Sequence, residues 1–374
     1  MKYYFIAGEA SGDLHASNLI REIKKLDSKA DIRAWGGDLM KNQGVKIVKH
    51  YRDLAFMGFA EVIMNLRTIL RNFDECKKDI LAFRPDVLIL IDYPGFNLRI
   101  AKFAHQNGML VHYYISPQIW AWKRSRVHTI RRVVDKMMVI LPFEKDFYQQ
   151  YGMDVDFVGH PLLDAIESST PDDNFIKQNQ LKEKPIIALL PGSRKQEISQ
   201  MLHTMLEMVS LFPEHQFVIS GAPSIESVFY NKLIANKEVK IIYGKTYDLL
   251  RHSIAAIVTS GTATLETALF GVPEVVCYKG NFVSYEIAKR IIHIKYISLV
   301  NLIMDQKVVT ELIQNKFNKN NLKAELHALI FNEEKQEKLA RDYAELKERL
   351  GGKGASAKAA ALIVAETLKK VNQN

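Results

Sequence analysis

Short, nearly unbroken apolar runs recur along the chain, each followed by a small-residue or polar turn and then a segment of helical spacing. Residues 3–7, 30–36, 85–92, 110–115, 137–141 and 155–158 read this way, and so do 186–190, 217–220, 240–243, 255–259 and 274–278. Runs without polar alternation predict strands buried on both faces, as in a parallel sheet covered by helices. The segments between them predict helices, among them 14–26, 263–270 and 279–290. From residue 321 the pattern is helical and charged, interrupted by Gly351-Gly352-Lys353-Gly354, and an alanine-rich helix follows over 355–368. The fold class expected is α/β.

The sharpest polar interruption, Ser168-Ser169-Thr170-Pro171-Asp172-Asp173-Asn174, reads as a linker between two strand–helix series. The expected organisation is a first domain over 1–168, with the terminal helix 355–374 packing back on it, and a second over 180–350. A chain of 374 residues suits two such domains.

One segment breaks the pattern. Between residues 54 and 70 the polar positions Glu61, Asn65 and Thr68 fall at helical spacing, and Met57, Phe59, Val62, Ile63 and Leu66 make the rest a wide apolar face flanked by arginines. Two readings stand: a helix buried in the core, or an exposed element that meets lipid or acyl chains.

Charge sharpens the picture. The net charge is +9, which favours an anionic partner: a nucleotide, a nucleic acid or a phospholipid surface. The basic stretch around Trp120, Trp122, Lys123, Arg124 and Arg126 carries no nucleic-acid motif. The two cysteines, Cys76 and Cys277, lie far apart, so neither a disulfide framework nor a zinc site is expected, and a reducing cytoplasm fits. No His/Cys/Asp cluster has metal-ligand spacing. The opening run, residues 1–8, is too short and wrongly flanked for a signal peptide, and no apolar run approaches the roughly 20 residues that span a bilayer.

Candidate chemistry sits in the turns after strands, where open α/β sheets bind ligands. Ser260-Gly261-Thr262-Ala263-Thr264 joins a strand to a helix, so unpaired backbone N–H groups and a helix N-terminus suit a diphosphate. Glu266, about one turn on, would repel a phosphate and is placed on the ribose side. Arg194, after Pro191-Gly192-Ser193, is a diphosphate ligand by residue type. The turn Gly8-Glu9-Ala10-Ser11-Gly12-Asp13 is acidic, which suits sugar hydroxyls, although Asp13 also reads as a helix cap. Asp92 ends the strongest strand of the first half and is a candidate general base, with turn capping as the bland alternative.

These blocks, with Met57-Gly58-Phe59-Ala60-Glu61-Val62, Asp92-Tyr93-Pro94-Gly95-Phe96-Asn97, Ser116-Pro117-Gln118-Ile119-Trp120-Ala121-Trp122, Leu141-Pro142-Phe143-Glu144-Lys145 and Tyr296-Ile297-Ser298-Leu299-Val300-Asn301, resemble the lipid-A-disaccharide synthases over nearly the whole chain. The resemblance implies a GT-B fold, two Rossmann-like domains facing across a cleft. It implies an inverting hexosyltransferase that joins UDP-2,3-diacylglucosamine to 2,3-diacylglucosamine 1-phosphate (lipid X), giving a β(1→6) disaccharide 1-phosphate and UDP. It implies no cofactor and no metal, since the UDP-sugar is a substrate, and no nucleic-acid partner. The expected location is peripheral, at the inner-membrane surface on its cytoplasmic face, with a homodimer left open. By position, Asp92 matches the base, Arg194 the diphosphate arginine, Glu266 the nucleotide-binding carboxylate and Asn301 the asparagine near the donor. Glu9 and Ser11 match the cleft-facing turn, and Met57–Leu70 the membrane and acyl region. Gly95 stands where many members carry a second aspartate, and Val300 where a proline is common. The alternatives are another GT-B UDP-sugar transferase or epimerase, or a non-enzymatic basic protein that binds membrane or nucleic acid.

Overall fold

The computed structural model describes residues 1–54, 66–281, 285–286, 290 and 294–373. The chain divides into two compact units, Met1–Ala165 with Leu350–Asn374, and Ile166–Arg349.

The first unit is built on seven parallel strands: β1 (Lys2–Ala7), β2 (Asp31–Gly36), β3 (Lys46–His50), β4 (Val87–Ile91), β5 (Leu110–Tyr114), β6 (Lys136–Val139) and β7 (Asp156–Phe157). Their order is β3-β2-β1-β4-β5-β6-β7. Every residue of Tyr3–Ala7 and Val87–Ile91 is fully buried, which is why the two central strands read as apolar runs. The tyrosines there send their hydroxyls outward: Tyr3 donates to Asp27 Oδ2 at 3.0 Å and Tyr4 to Asp79 Oδ2 at 2.7 Å. The edge strand β3, Lys-Ile-Val-Lys-His, is nowhere fully buried and carried no legible strand signal.

The first helix starts earlier than its sequence suggests. It runs Ala10–Leu26 with Glu9 as N-cap, and the Asp13 N–H already donates to the Glu9 carbonyl at 3.0 Å. Gly12 belongs to that first turn, where an added Cβ would lie 3.2 Å from the Ala7 Cβ, so glycine serves close helix–strand packing and not a loop.

The last helix, Ala355–Gln373, packs on the first helix and on β5. Ala355, Ala359, Ala360 and Ile363 are fully buried on its inner face. Asp164 caps it, accepting from Gly354 N at 2.7 Å and Ser356 N at 2.9 Å. The approach requires left-handed backbone at Gly351, Gly352 and Gly354, whose φ values are 84°, 68° and 89°.

The second unit has six parallel strands: β8 (Ile186–Leu190), β9 (Gln216–Gly221), β10 (Lys240–Tyr243), β11 (Ser253–Thr259), β12 (Glu274–Tyr278) and β13 (Thr310–Ile313), in the order β10-β9-β8-β11-β12-β13. The expected strand runs are present here, with β13 added at the edge. Each sheet therefore starts in the middle, grows to one side for three strands, and then restarts on the other. That reversal leaves a crevice outside the carboxyl ends of β1/β4 in one unit and β8/β11 in the other.

Of the apolar segment at 54–70, Met57, Phe59, Val62 and Ile63 lie outside the described residues. Leu66 opens the helix Leu66–Phe83.

Candidate active site

In the first unit, β1 and β4 are paired with Ala7 opposite Ile91, so Glu9 and Asp92 follow neighbouring strand ends. Asp92 and Tyr93 both take left-handed backbone, with φ of 42° and 49°. Two such residues in succession are costly and persist only where the surroundings fix them. Three groups do so. The fully buried Asn97 amide donates to the carbonyls of Ile91 at 3.1 Å and Asp92 at 2.7 Å, and the Tyr113 hydroxyl also donates to the Asp92 carbonyl. The Tyr93 ring lies against Gly8, where an added Cβ would come within 2.4 Å of it, so only glycine fits.

The Asp92 carboxyl is pushed up to about 6, first by burial and then by the negative charge of Glu9, with a Tyr93 backbone N–H pulling the other way. A carboxylate so poised is still ionised near neutrality, yet basic enough to take a proton from a hydroxyl. Glu9 is half-buried and Ser11 exposed beside it. Gly95 has open space around its Cα, so packing does not demand glycine there.

Asp13 is a correction to the acidic-turn expectation. It is buried, and its carboxylate accepts from Gly37 N at 2.8 Å, Leu39 N at 3.0 Å and Met40 N at 3.1 Å. It thus caps the short helix Asp38–Asn42, neither its own helix nor a sugar. Three backbone donors take up most of the acceptor capacity of a side chain that solvent barely reaches.

In the second unit, β8 and β11 are paired with Leu190 opposite Val258. Arg194 is the N-cap of the helix Lys195–Leu206 and is exposed, with no ion pair among the described residues. Gly192, at φ 105°, lets the loop fold onto Glu197, whose Oε2 accepts from Ser193 N at 3.0 Å. After β11, Ser260, Gly261 and Thr262 lead into the helix Thr262–Leu269, with Gly261 and Thr262 exposed and Ala263 half-buried at its N-terminus. Glu266 is half-buried, accepts from the Tyr247 hydroxyl at 3.2 Å, and is raised by burial.

Two further expected ligands turn out to be internal fasteners. Thr264 is fully buried, and its hydroxyl donates to the Gly261 carbonyl at 2.9 Å. Asn301 is fully buried and fully used. Its Oδ1 accepts from Val308 N at 2.8 Å and Val309 N at 2.9 Å, while Nδ2 donates to the Val309 carbonyl and Glu311 Oε1, both at 2.9 Å. Glu311 also accepts from the N–H groups of Ile297 and Ser298, and Ser260 Oγ donates to the Ile297 carbonyl at 2.9 Å. Asn301 therefore anchors the loop to which the β11 turn is tied, and a contact from its own amide to a ligand has no remaining donor or acceptor. Tyr113, Tyr247 and Glu311 carried no sequence signal, because each acts on a residue ten or more positions away, whereas Asn97 stands in the same motif block as Asp92 but with no role legible there.

Among the described residues no three His, Cys, Asp or Glu side chains gather as a metal site, and no helix is long and apolar enough to cross a membrane.

The family model described as lipid-A-disaccharide synthetase matches residues 3–365. A lipid-A-disaccharide synthase of Syntrophus aciditrophicus is 40% identical over 365 residues, covering 96% of this chain and 95% of the relative. One of Geobacter sulfurreducens is 37% identical over 366 residues, covering 96% and 95%. Among solved structures, the S. aureus MnaA–UDP co-structure aligns with a TM-score of 0.70 at 11% identity, covering 99% of this chain and 97% of that one. The glycosyltransferase of kitacinnamycin aligns with a TM-score of 0.66 at 14% identity, covering 98% and 99%. At such identities the structural likeness is one of fold: two Rossmann-like units of the GT-B class.

Proposed function

Because the chain belongs to the lipid-A-disaccharide synthase family, and so is a hexosyltransferase that forms the lipid A disaccharide from a UDP-sugar and a lipid acceptor, we propose that its substrates are UDP-2,3-diacylglucosamine and 2,3-diacylglucosamine 1-phosphate. The Asp92 carboxylate takes the proton of the acceptor 6-hydroxyl as that oxygen attacks the donor anomeric carbon. The bond from that carbon to the β-phosphate oxygen breaks, and its electron pair leaves with UDP. Attack from the face opposite an α-linked leaving group gives the β(1→6) bond. Arg194 and the N–H groups of Thr262 and Ala263 stabilise the departing diphosphate, and Glu266 accepts from the ribose hydroxyls.

The observation that carries the proposal is Asp92 itself: a strand-end carboxyl in a strained turn, raised to about 6 beside Glu9. Asn97 and Tyr113 hold the Asp92 turn in shape, Thr264 and Asn301 the β11 turn and the loop tied to it, and Asp13 the start of the short helix Asp38–Asn42. We further propose that the protein works as a peripheral enzyme at the inner-membrane surface on its cytoplasmic face. The charge of +9 and the apolar sequence around Met57 and Phe59 support this.

Mass spectrometry of the product made from both acylated substrates tests the proposal, with NMR reporting the anomeric configuration. A β(1→6) disaccharide monophosphate and one UDP per turnover are expected. Conversion of the UDP-sugar without acceptor would point to an epimerase and overturn it.

A further inference from the structure

Strand β5 is paired with β4, Tyr114 opposite Ile91, so the segment that follows β5 leaves the sheet beside the turn bearing Asp92. That segment carries Trp122, 45% exposed, and the cations Lys123, Arg124 and Arg126. Lys123 Nζ lies 4.7 Å and Arg126 Cζ 5.3 Å from the Trp122 ring centroid, so two positive charges are gathered on one indole. Among the described residues none of the three cations has a carboxylate partner, and what sets Lys123 and Arg126 apart is that both are gathered on one indole. Like charges held together without a counter-ion repel one another and favour an anion between them.

The segment is held by a buried frame. The Trp120 indole N–H donates to Glu144 Oε1 at 3.2 Å, and Glu144 Oε2 accepts from Ile140 N and Leu141 N at 3.2 and 3.0 Å. Trp120 meets Phe143 edge-on, with ring centroids 4.9 Å apart. Arg124 Nε is committed to the Trp120 carbonyl, which leaves Lys123 and Arg126 as the freer pair. Arg126 also lies within electrostatic reach of Tyr113, whose hydroxyl holds the Asp92 carbonyl.

We propose that Trp122, Lys123 and Arg126 form the seat of the acceptor's phosphate monoester. The inference rests on Asp92 being the base of the reaction proposed above. In a glucosamine 1-phosphate, the phosphate-bearing carbon and the carbon carrying the 6-hydroxymethyl group flank the ring oxygen. The proposal therefore requires one sugar ring to reach from the base to the cations. The same cations suit phosphodiester headgroups of a membrane surface, and the test separates the two sources.

Steady-state kinetics in non-ionic micelles, which offer no anionic surface, compare the acceptor with its counterpart lacking the phosphate. Lys123→Gln and Arg126→Gln should each raise the KM for the phosphorylated acceptor roughly ten- to a hundredfold, the worth of one lost charge-assisted contact. The KM for the donor and for the unphosphorylated acceptor should change far less, so the preference for phosphate collapses. Arg126→Lys should recover part of it, and the exposed Lys123 carries the test should Arg126→Gln misfold. Variants that keep the wild-type preference overturn the inference. So do variants that lose only binding to phosphatidylglycerol vesicles, which would assign the turn to the membrane surface. If the wild type turns over neither acceptor, the proposed substrates fall first and this inference with them.

Discussion

Glu9 and Asp92 close neighbouring strands, and the negative charge of Glu9 holds the Asp92 carboxyl above its ordinary value. A base must be ionised to act, so kcat/KM should fall about tenfold per pH unit below about 6 and level off above it. The Glu9 charge disfavours a second negative charge nearby, so Glu9→Gln should move this acid limb to lower pH. A pH–rate profile of both proteins checks the shift, and an unmoved limb contradicts the coupling.

Asp92→Asn keeps the shape of the side chain and removes its basicity. Turnover should drop roughly a hundred- to ten-thousandfold. The proposed UDP contacts lie in the other unit, so UDP binding should stay near wild type in calorimetry. Near-normal turnover would remove Asp92 from its role.

Arg194 is exposed and its helix is capped by backbone, so Arg194→Ala should leave the melting temperature almost unchanged. UDP affinity should fall roughly tenfold or more, from loss of contacts worth about 1.5–3 kcal/mol each. An unchanged dissociation constant would place the diphosphate elsewhere.

Asn301→Ala should behave in the opposite way. It strands the N–H groups of Val308 and Val309 and the Val309 carbonyl, each costing about 1–3 kcal/mol where water cannot replace the partner. The melting temperature should drop by many degrees, while the folded fraction keeps more of its UDP affinity than Arg194→Ala does. Full thermal stability with UDP binding abolished would restore a direct ligand role.

Activity should survive EDTA, because in the proposed mechanism Arg194 and the helix N-terminus at Thr262 meet the diphosphate charge. Loss of turnover in EDTA with recovery on adding magnesium would refute this.

The sequence alone determined the fold class and most strands. Residues 3–7, 87–91 and 186–190 are fully or almost fully buried from end to end, and strands buried on both faces show as apolar runs without alternation. Of the edge strands, β7 and β10 showed as short apolar runs but β3 and β13 did not, because edge residues are largely half-buried or exposed and charged or polar side chains interrupt the apolar run there. Motif residues marked the turns, but only tertiary structure separated the exposed Arg194 from Asp13, Thr264 and Asn301, whose polar groups are consumed inside the protein. That separation depends on which backbone groups arrive from elsewhere in the chain, such as Gly37 and Leu39 at Asp13 or Val308 at Asn301. The raised Asp92 carboxyl is of the same kind. It arises from burial and from the charge of Glu9, which follows the neighbouring strand; Asn97 lies in the same short stretch as Asp92, but Glu9 and Tyr113 reach it only through the fold.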